Sequence, residues 1–250
     1  MSVVGLIPAR LESERLPRKA LLDLDGLPII VHTLKRAQLS RSLSAVYVCT
    51  DSDEITKVVK AYGGRTILTR SDHVNGTERI AEAAKHLAES EHLEFELVVD
   101  VQGDQPLLDP NHIDEVVSEH RRQSTWDILV PCTPTAASDS PSVVKIIHDL
   151  NHRILAMSRS VIPHPYRGTA TCLEHLDSIS FRPDALQRLA NLMPTPLESV
   201  EGVELLRALE NGMALGTIVL TGNNCFSVNV AEDYERAKRA MKSDSVRLMY

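Results

Sequence analysis

The chain has 250 residues, and its 27 lysine and arginine residues against 34 aspartate and glutamate residues leave a formal charge of −7. Hydrophobic residues make up 43% of the sequence and charged residues 24%, which is typical of a soluble globular protein and too apolar for a disordered one. No apolar run approaches the roughly 20 residues that span a bilayer, and no secretory signal is recognisable before Pro8 and Arg10, so we expect neither a membrane span nor a signal peptide.

The charge balance and the cysteines limit the class of protein further. A net negative charge disfavours a nucleic-acid partner held by phosphate contacts, although a local basic patch can override a net charge. We predict no nucleic-acid partner and, in the absence of an apolar span, no membrane partner. The four cysteines, Cys49, Cys132, Cys172 and Cys225, are scattered without a Cys-x-x-Cys pair. This spacing argues against a structural zinc site and against a disulfide framework, and the predicted location is a reducing cytoplasm.

Short apolar runs alternate with helical patterns over the first 130 residues. This alternation predicts a parallel sheet with crossover helices, because parallel strands need a long connection between them. The runs are apolar throughout, which is expected when both faces of a sheet are covered. Strands are predicted at residues 3–7, 45–50, 66–69 and 97–101, and helices from residue 28 and after residues 51, 75–77 and 109–110.

The second half of the chain has a less regular pattern. Residues 134–141 are mostly Thr, Ala, Ser and Pro, which is typical of a turn or linker. We predict an α/β protein with a mostly parallel sheet, in which residues 1–250 form a single domain and a smaller subdomain is inserted around residues 131–185. Further elements are predicted as a strand at 127–130, a hairpin at 143–158, helices at 183–192, 196–211 and 231–241, strands at 215–220 and 226–228, and a frayed tail after 242.

Four cations stand within ten residues after the first predicted strand: Arg10, Arg15, Arg18 and Lys19. Ligands of open α/β sheets bind at the carboxyl ends of the strands, so this loop is placed where a ligand is expected. Arginine holds phosphate oxygens in a bidentate fork and lysine supplies a point charge, and the combination suits a polyphosphate. A solvated basic loop is the alternative interpretation, and neither the G-x-x-x-x-G-K-[ST] nor the G-x-G-x-x-G phosphate motif is present.

Segments in chain order match the pattern of a known family. The longest are Ile7-Pro8-Ala9-Arg10-x-x-Ser13-x-Arg15-Leu16-Pro17-x-Lys19, Thr69-Arg70-x-Asp72-His73-x-x-Gly76-Thr77-Glu78-Arg79 and Val101-Gln102-Gly103-Asp104-x-Pro106. The shorter ones are Gly26-x-Pro28 leading to His32, Thr50-Asp51, Val144-Lys145, Ser158-Arg159-x-x-Ile162-Pro163, Pro196-Leu197-Glu198 and Leu206-Arg207. In these residues the chain resembles the CMP-Kdo synthetases, the 3-deoxy-manno-octulosonate cytidylyltransferases. The resemblance covers the whole chain and implies a Rossmann-like nucleotidyltransferase fold, CTP as the nucleotide, Mg²⁺ as the cofactor, pyrophosphate release and a homodimer.

The resemblance also implies roles for individual residues. The predicted catalytic residues are Arg10, Arg15 and Lys19, which neutralise phosphate charge, and Asp104, which binds Mg²⁺. Asn75 stands before a predicted helix and is equally a plain N-cap, so base contact and helix capping both stay open for it. The predicted nucleotide-binding residues are Pro8, Ala9, Arg70, Asn75, Gly76, Thr77, Arg79 and Gln102.

Polar side chains alternate at the end of the fourth predicted strand. Asp100, Gln102 and Asp104 share one face if the strand continues that far. A carboxylate at the carboxyl end of a parallel strand is placed to bind a metal near the phosphate loop, but a lone Asp there is more often a turn residue. The resemblance favours metal binding by Asp104.

The chain departs from the family at the second metal-binding acid. The family has Val-Asp-Thr-Pro-Glu-Asp where this chain has Val228-Asn229-Val230-Ala231-Glu232-Asp233. Asn229 still offers an oxygen to a cation but brings no charge. We hypothesise that Asp100 replaces the missing carboxylate, so that Asp100, Asp104 and Asn229 are the predicted metal ligands. A catalytically impaired nucleotide-binding or regulatory protein is the alternative interpretation.

The predicted acceptor pocket departs further from the family. The family's His-x-Gly-Ile-Tyr-Gly-Tyr-Arg reads His175-Leu176-Asp177-Ser178-Ile179-Ser180-Phe181-Arg182 here, and a Glu-Gln pair reads Glu204-Leu205. Ile179 and Leu205 leave sugar hydroxyls without partners, while the retained Arg159 indicates an anionic acceptor. A compact anion such as a phosphonate is therefore the predicted acceptor, and drift in an enzyme for Kdo is the alternative. The predicted acceptor-binding residues are Arg159, His175, Ile179, Glu204 and Leu205.

Overall fold

The computed structural model describes residues 2–13, 15–92, 94–136, 140, 142–168, 171–221 and 226–250. The chain divides into two compact units, Met1–Glu115 with Asn224–Tyr250 and Val116–Asn223. The predicted subdomain at residues 131–185 lies within the second unit, and its role in acceptor binding and dimerisation stays a prediction. In the described part of the chain, no helix combines the length and the hydrophobicity that a bilayer span requires.

A parallel sheet forms the centre of the first unit. The first strand, β1 (Ser2–Pro8), pairs with β4 (Ala45–Thr50) on one side and with β6 (Phe95–Asp100) on the other. The strand β5 (Arg65–Leu68) pairs with the outer edge of β4. Residues 3–7 of β1 are buried, as expected for a strand that is covered on both faces. The four predicted strands are confirmed.

Two helices of the first unit, α2 (Asp53–Ala61) and α3 (Gly76–Glu91), begin at a side-chain cap. The Ser52 hydroxyl accepts a hydrogen bond from the Ile55 N–H at 3.3 Å, and the Asn75 side chain accepts one from the Glu78 N–H at 2.8 Å. All the helices predicted for this unit are confirmed. The remaining elements are a hairpin of β2 (Asp23–Leu24) and β3 (Leu27–Pro28), and the helices α1 (Ile29–Gln38), α2 (Asp53–Ala61), α3 (Gly76–Glu91), α4 (Pro110–Arg122) and α8 (Ala231–Met241). The boundary between the two units, after Glu115, lies within α4.

The second unit is organised around one central strand, β7. On one edge this strand pairs antiparallel with two short strands, and on the other edge it pairs parallel with the last strand of the chain. The predicted hairpin at residues 143–158 is confirmed and lies beside one of the antiparallel strands. The elements are β7 (Ile128–Ala136), β8 (Lys145–His148), β9 (Ile154–Ser158), β10 (Thr171–His175), β11 (Ile179–Phe181), β12 (Leu215–Val219), α5 (Pro183–Ala190), α6 (Pro196–Glu201) and α7 (Leu205–Glu210).

Two predictions for the second unit are wrong at their boundaries. The predicted linker at residues 134–141 begins inside β7, because Pro134 pairs with Leu173 of β10 and the ladder continues to Ala136. Residues 137–139 and 141 of this linker lie outside the described residues. The single helix predicted at residues 196–211 is two helices, because Gly202 adopts a φ of +61° that ends α6. The sequence patterns also give no indication of β10 and β11, which are short and carry polar side chains.

Two predictions for the end of the chain are wrong as well. Residues 226–228 form no strand: the Val228 N–H donates one hydrogen bond to the Asp104 carbonyl at 2.9 Å, and no ladder continues from it in the described residues. The tail after Lys242 is not frayed but forms a 3₁₀ helix, Ser245–Met249. The Tyr250 hydroxyl fixes the tail, since it accepts a hydrogen bond from the buried Arg36 at 3.1 Å.

Gly216 in β12 has no room for a side chain. A Cβ at this position lies 2.5 Å from the indole nitrogen of Trp126. We therefore expect Gly216→Ala to lower the free energy of unfolding by about 1 to 3 kcal/mol, because the indole has to move. Urea unfolding measures this loss. In a Trp126→Ala background the same glycine substitution is expected to cost less, and an equal cost in both backgrounds would contradict the steric explanation.

Candidate active site

The candidate active site is a cavity of about 360 Å³ in the first unit. Its walls come from the loop after β1, the loop after β6, the N-terminus of α3 and the segment before α8. The carboxyl ends of β1 and β6 therefore open into it, which is where open α/β sheets bind ligands. The predicted residues that line the cavity are Pro8, Ala9, Arg10, Arg15, Lys19, Asn75, Gly76, Arg79, Gln102, Asp104 and Asn229.

Three predicted residues of the first unit, Arg70, Thr77 and Asp100, are not among the described residues that line the cavity. Arg70 is exposed at the surface, and its side chain lies 3.6 Å from the Glu82 carboxylate. Thr77 and Asp100 are buried. One oxygen of Asp100 accepts a hydrogen bond from the Gln102 amide at 2.8 Å, so this carboxylate orients a residue that does line the cavity. Metal binding by Asp100 stays a prediction.

Two glycines let the loops around the cavity approach one another closely. A Cβ at Gly103 lies only 2.8 Å from the Pro8 carbonyl oxygen, so a side chain there would push the two strand-end loops apart. A Cβ at Gly76 lies 3.2 Å from the Pro8 ring. The first turn of α3 therefore packs directly against the loop after β1, and the end of the helix that favours anions lies beside this loop.

The four cations of the basic loop do not share one environment. Arg18 takes a left-handed φ of 56°, and its side chain forms an ion pair with Glu54 away from the cavity. Arg18 therefore fits the alternative interpretation of the basic loop, that of an exposed cation in contact with solvent. In contrast, Arg10, Arg15 and Lys19 line the cavity. The short 3₁₀ turn Lys19–Leu21 follows Arg18 directly, so the unusual backbone of Arg18 lies at the point where the loop turns.

Lys19 connects the basic loop to the opposite wall of the cavity. Its Nζ donates to Asp104 Oδ2 at 2.6 Å and to Asn229 Oδ1 at 3.2 Å. Arg15 also donates to Asn229 Oδ1, at 3.3 Å. The structure thus brings together two predicted phosphate-binding cations and two predicted metal ligands that are far apart in the sequence. We call Arg15, Lys19, Asp104 and Asn229 the Lys19 cluster.

Two glutamates of α3 hold the segment that precedes this helix. The Glu82 carboxylate accepts hydrogen bonds from His73 Nε2 and from the Arg70 N–H, the latter at 3.2 Å. Glu78 accepts one from the Val74 N–H at 3.1 Å. Burial disfavours the ionised form of Glu82, but the hydrogen bonds from His73 and Arg70 outweigh it and lower the pKa of this carboxyl. Hydrogen bonds to these two side chains of α3 therefore hold residues 70–75 against the helix.

Arg79 is a buried cation at the edge of the cavity. Its guanidinium donates to the Thr69 hydroxyl at 2.6 Å and to the Arg70 carbonyl at 3.2 Å, and it lies 3.6 Å from the Asp51 carboxylate. These contacts tie the carboxyl ends of β4 and β5 to α3. Arg79 therefore holds the wall of the cavity in addition to contributing positive charge there.

In the second unit, Arg159 lies in a dense polar network. Its guanidinium donates to the Glu201 carbonyl at 2.6 Å and to the Gly202 carbonyl at 2.9 Å, at the C-terminal end of α6. The Glu201 carboxylate accepts hydrogen bonds from the Arg159 N–H at 2.8 Å and from the Ser158 hydroxyl at 2.6 Å, which lower the pKa of Glu201. The buried Lys145 ammonium donates to the Arg159 carbonyl at 2.6 Å.

His175 lies within the electrostatic range of Arg159. Its Nε2 atom is buried and has no hydrogen-bond partner among the described residues. Burial, with a smaller effect of the Arg159 charge, lowers the pKa of His175 to about 4. The histidine is therefore neutral at pH 7. The other predicted acceptor residues are Glu204, which precedes α7, and Ile179 and Leu205, which are only 8% and 5% exposed.

The low pKa of His175 predicts a pH dependence of stability. The unfolded chain takes up a proton near pH 6.5, whereas the folded protein does so only near pH 4, so stability is lost as the pH falls through this window. We expect His175→Gln to remove about 1 to 2 kcal/mol of the stability difference between pH 7 and pH 5. Urea unfolding at both pH values measures it, with the exposed His164→Gln as control. Equal pH dependence in wild type and His175→Gln would contradict the assignment.

The structure adds residues that the sequence analysis did not select. Glu12, Ser13 and His73 also line the cavity. Ser13 and His73 belong to the segments that carry the family resemblance, so that signal was available, whereas Glu12 stands at a position that the pattern leaves open. Glu201, the last residue of α6, holds Arg159, which follows β9, and no local pattern indicates this contact.

The parallel sheet and the cation-lined cavity at its carboxyl edge define a protein of the Rossmann-like nucleotidyltransferase class. A family model described as cytidylyltransferase matches residues 4–215. The 3-deoxy-manno-octulosonate cytidylyltransferase of Pelodictyon phaeoclathratiforme is 38% identical over 250 residues, which cover 97% of this chain and 98% of that protein. The enzyme of the same name from Chlorobium limicola is 37% identical over 254 residues, with coverage of 99% and 100%. The chain therefore belongs to the 3-deoxy-manno-octulosonate cytidylyltransferase family.

Solved structures agree with this assignment. The structure of CMP:2-keto-3-deoxy-manno-octonic acid synthetase complexed with CTP matches with a TM-score of 0.88 and 31% identity, over 97% of this chain and 99% of that one. A cytidylyltransferase from Leptospira borgpetersenii matches with a TM-score of 0.65 at 20% identity, over 97% of this chain and 87% of that one, and shares the fold. The predicted family and the predicted α/β fold are confirmed.

Proposed function

We propose that the protein transfers CMP from CTP to a sugar acid of the 3-deoxy-manno-octulosonate type and releases pyrophosphate. The observation that carries this proposal is the cavity that Arg10, Arg15 and Lys19 line opposite Asp104, in a chain of this family. An acceptor hydroxyl oxygen attacks the α-phosphorus of CTP, the bond from that phosphorus to the oxygen bridging to the β-phosphate breaks, and pyrophosphate and a proton leave.

The described residues fit a Mg²⁺ ion that is bound by one protein carboxylate and by the phosphates of the nucleotide. Mg²⁺ in phosphoryl-transfer sites uses one or two carboxylates, substrate phosphates and water. Asp104 offers a carboxylate and Asn229 an amide oxygen, and both face the cavity, although the described residues contain no cluster of three or more His, Cys, Asp or Glu that fits a metal ion. Asp104 and Asn229 would hold Mg²⁺, which when bound neutralises phosphate charge. Arg10, Arg15 and Lys19 add positive charge around the same phosphates.

The nucleotide base is proposed to bind where α3 meets the loop after β1. A Cβ at Gly76 would lie 3.2 Å from the Pro8 ring, so the backbone at the start of α3 lies close to this loop. Asn75 is the N-cap of α3 and also lines the cavity. The predicted capping role is therefore confirmed, and its contact with the base stays a prediction. CTP as the nucleotide is supported by the family model, which is described as cytidylyltransferase, and by the similar structure that is complexed with CTP.

The acceptor is proposed to bind in the second unit, with Arg159 as the positive group and the neutral His175 as a hydrogen-bonding partner. His175 Nε2 is buried without a partner among the described residues, and a hydroxyl of a bound acceptor would supply the hydrogen bond that this atom lacks. This observation favours a hydroxylated sugar acid. The apolar and buried Ile179 and Leu205 favour the compact anion predicted from the sequence, and this second acceptor stays a prediction.

One assay tests the function and separates these acceptors. Purified protein is mixed with CTP, Mg²⁺ and either Kdo or a small phosphonate, and both pyrophosphate and the CMP-linked product are measured. The proposal expects product from Kdo. Product from the phosphonate alone would favour the compact acceptor, and CTP binding without product from either would favour the regulatory alternative. Replacing CTP with the other three nucleoside triphosphates tests the base preference.

The homodimer and the cytoplasmic location stay predictions from the family resemblance. Analytical ultracentrifugation of the purified chain tests the dimer. A sedimentation coefficient that matches one chain of 27.7 kDa at micromolar concentration would contradict it.

A further inference from the structure

Within the Lys19 cluster, an ammonium group already occupies the space between the two oxygen donors that face the cavity. Lys19 Nζ lies 2.6 Å from Asp104 Oδ2 and 3.2 Å from Asn229 Oδ1. The side chains of Lys19 and Asp104 are only 18% and 21% exposed, so water weakens this ion pair less than it would at an open surface. Asp104 therefore has a resident counter-ion in the protein itself.

The charges of the cluster disfavour a divalent cation that arrives alone. Asp104 is the single carboxylate among the four residues, Asn229 is neutral, and Arg15 and Lys19 are both cationic. Arg15 also donates a hydrogen bond to the Asn229 amide oxygen at 3.3 Å, so this oxygen already contacts a cation of the protein. The formal charge of the cluster is thus positive, whereas oxygen sites bind hard divalent cations more tightly as their negative charge increases.

A triphosphate reverses this balance. Its oxygens bring several negative charges to the cavity and attract Lys19 and Arg15, which frees oxygen of Asp104 and Asn229 for a metal ion. We propose that the nucleotide-free protein excludes divalent cations through Lys19 and the neutral Asn229, so that the metal binds only together with the nucleotide. This inference rests on the proposed function, in that the ligand of the cavity is a nucleoside triphosphate.

The exclusion has a reciprocal consequence for the nucleotide. If CTP raises the affinity for the metal, the metal raises the affinity for CTP by the same factor, because the two binding equilibria are linked. The wild-type protein is therefore expected to bind CTP at least about 10-fold more tightly with Mn²⁺ than with EDTA. Equilibrium dialysis with labelled CTP measures this ratio, and equal affinities under both conditions would overturn the proposal.

The direct test measures Mn²⁺ binding by electron paramagnetic resonance in the absence of any nucleotide. Wild-type protein is expected to bind Mn²⁺ weakly. Asn229→Asp adds a second carboxylate beside Asp104 and is expected to tighten Mn²⁺ binding at least about 10-fold. Lys19→Met removes the resident ammonium and is expected to act in the same direction. The control is Asn151→Asp, which makes the same change of net charge at an exposed turn of the second unit.

The Mn²⁺ measurements can overturn the proposal in two ways. Tight Mn²⁺ binding by the nucleotide-free wild type overturns the proposal, and so does an Asn229→Asp protein that binds Mn²⁺ no better than Asn151→Asp. If Asn229→Asp does not fold, as circular dichroism would reveal, the comparison of Lys19→Met with wild type decides in its place. The Mn²⁺ measurements need no catalysis, so a protein that excludes the metal as expected but forms no CMP-linked product would overturn the proposed function and leave this inference standing.

Discussion

Replacing Lys19 with alanine is expected to lower the turnover number at least about 100-fold. The Lys19 ammonium lies within hydrogen-bonding distance of both Asp104 and Asn229. In the reaction, negative charge accumulates on the pyrophosphate leaving group, and a cation held close to it stabilises the transition state more than the ground state. The loss should therefore appear mainly in kcat.

The stability of the Lys19→Ala protein should change little, because the side chain is partly exposed and contributes no apolar core. Lys57→Ala is the matched control, since Lys57 is an exposed lysine of α2 and does not line the cavity. Steady-state pyrophosphate release measures both variants, and thermal unfolding verifies that each is folded. Turnover of Lys19→Ala within a few-fold of wild type would refute the role of Lys19.

The composition of the cavity is largely predictable from the sequence for a topological reason. Residues that follow β1 and β6 lie together because these strands are parallel neighbours and their carboxyl ends are at one edge of the sheet. The apolar runs that mark the strands, and Asn75 as the cap of α3, are local signals. These signals are sufficient to bring the loop from Pro8 to Lys19 together with Gln102 and Asp104 at that edge.

The pairing of side chains within the cavity is not predictable in the same way. Lys19 and Asp104 are 85 residues apart, and Lys19 and Asn229 are 210 residues apart, so no spacing rule connects them. The sequence patterns predict that Lys19 binds phosphate and that Asp104 and Asn229 bind a metal ion. They do not predict that Lys19 contacts Asp104 and Asn229 directly. Asp100 shows the same limit, since its contact with Gln102 depends on how the chain turns after β6.

The errors in the fold have different causes in different parts of the chain. Gly202 lies in a window with good helical periodicity, and its left-handed backbone divides α6 from α7. The short strands β10 and β11 lack the β-branched runs that mark the first four strands, and tertiary pairing with β7 determines them instead. The tail after Lys242 is predicted to fray because chain ends are often poorly ordered, but the contact of Tyr250 with the buried Arg36 keeps it folded.

Replacing Asp104 with asparagine is expected to lower turnover by about 1000-fold, which is the larger of the two effects. The substitution keeps the shape of the side chain but removes the single carboxylate of the Lys19 cluster. Lys19 would lose its ion-pair partner at 2.6 Å, and Mg²⁺ would lose the charged ligand proposed for it. Both losses weaken the stabilisation of developing phosphate charge, so kcat should fall much more than the affinity for CTP.

Asp53→Asn is the matched control for this variant, because Asp53 is an exposed aspartate in the first turn of α2 and lies outside the cavity. Pyrophosphate release is measured at saturating CTP, and labelled CTP binding is measured separately, so that a defect in catalysis is distinguished from a defect in binding. An Asp104→Asn protein that retains a tenth or more of wild-type turnover would show that the essential carboxylate lies elsewhere. Asp100 would then be the residue to substitute next, since the hydrogen bond that it accepts from the Gln102 amide connects it to a residue of the cavity wall.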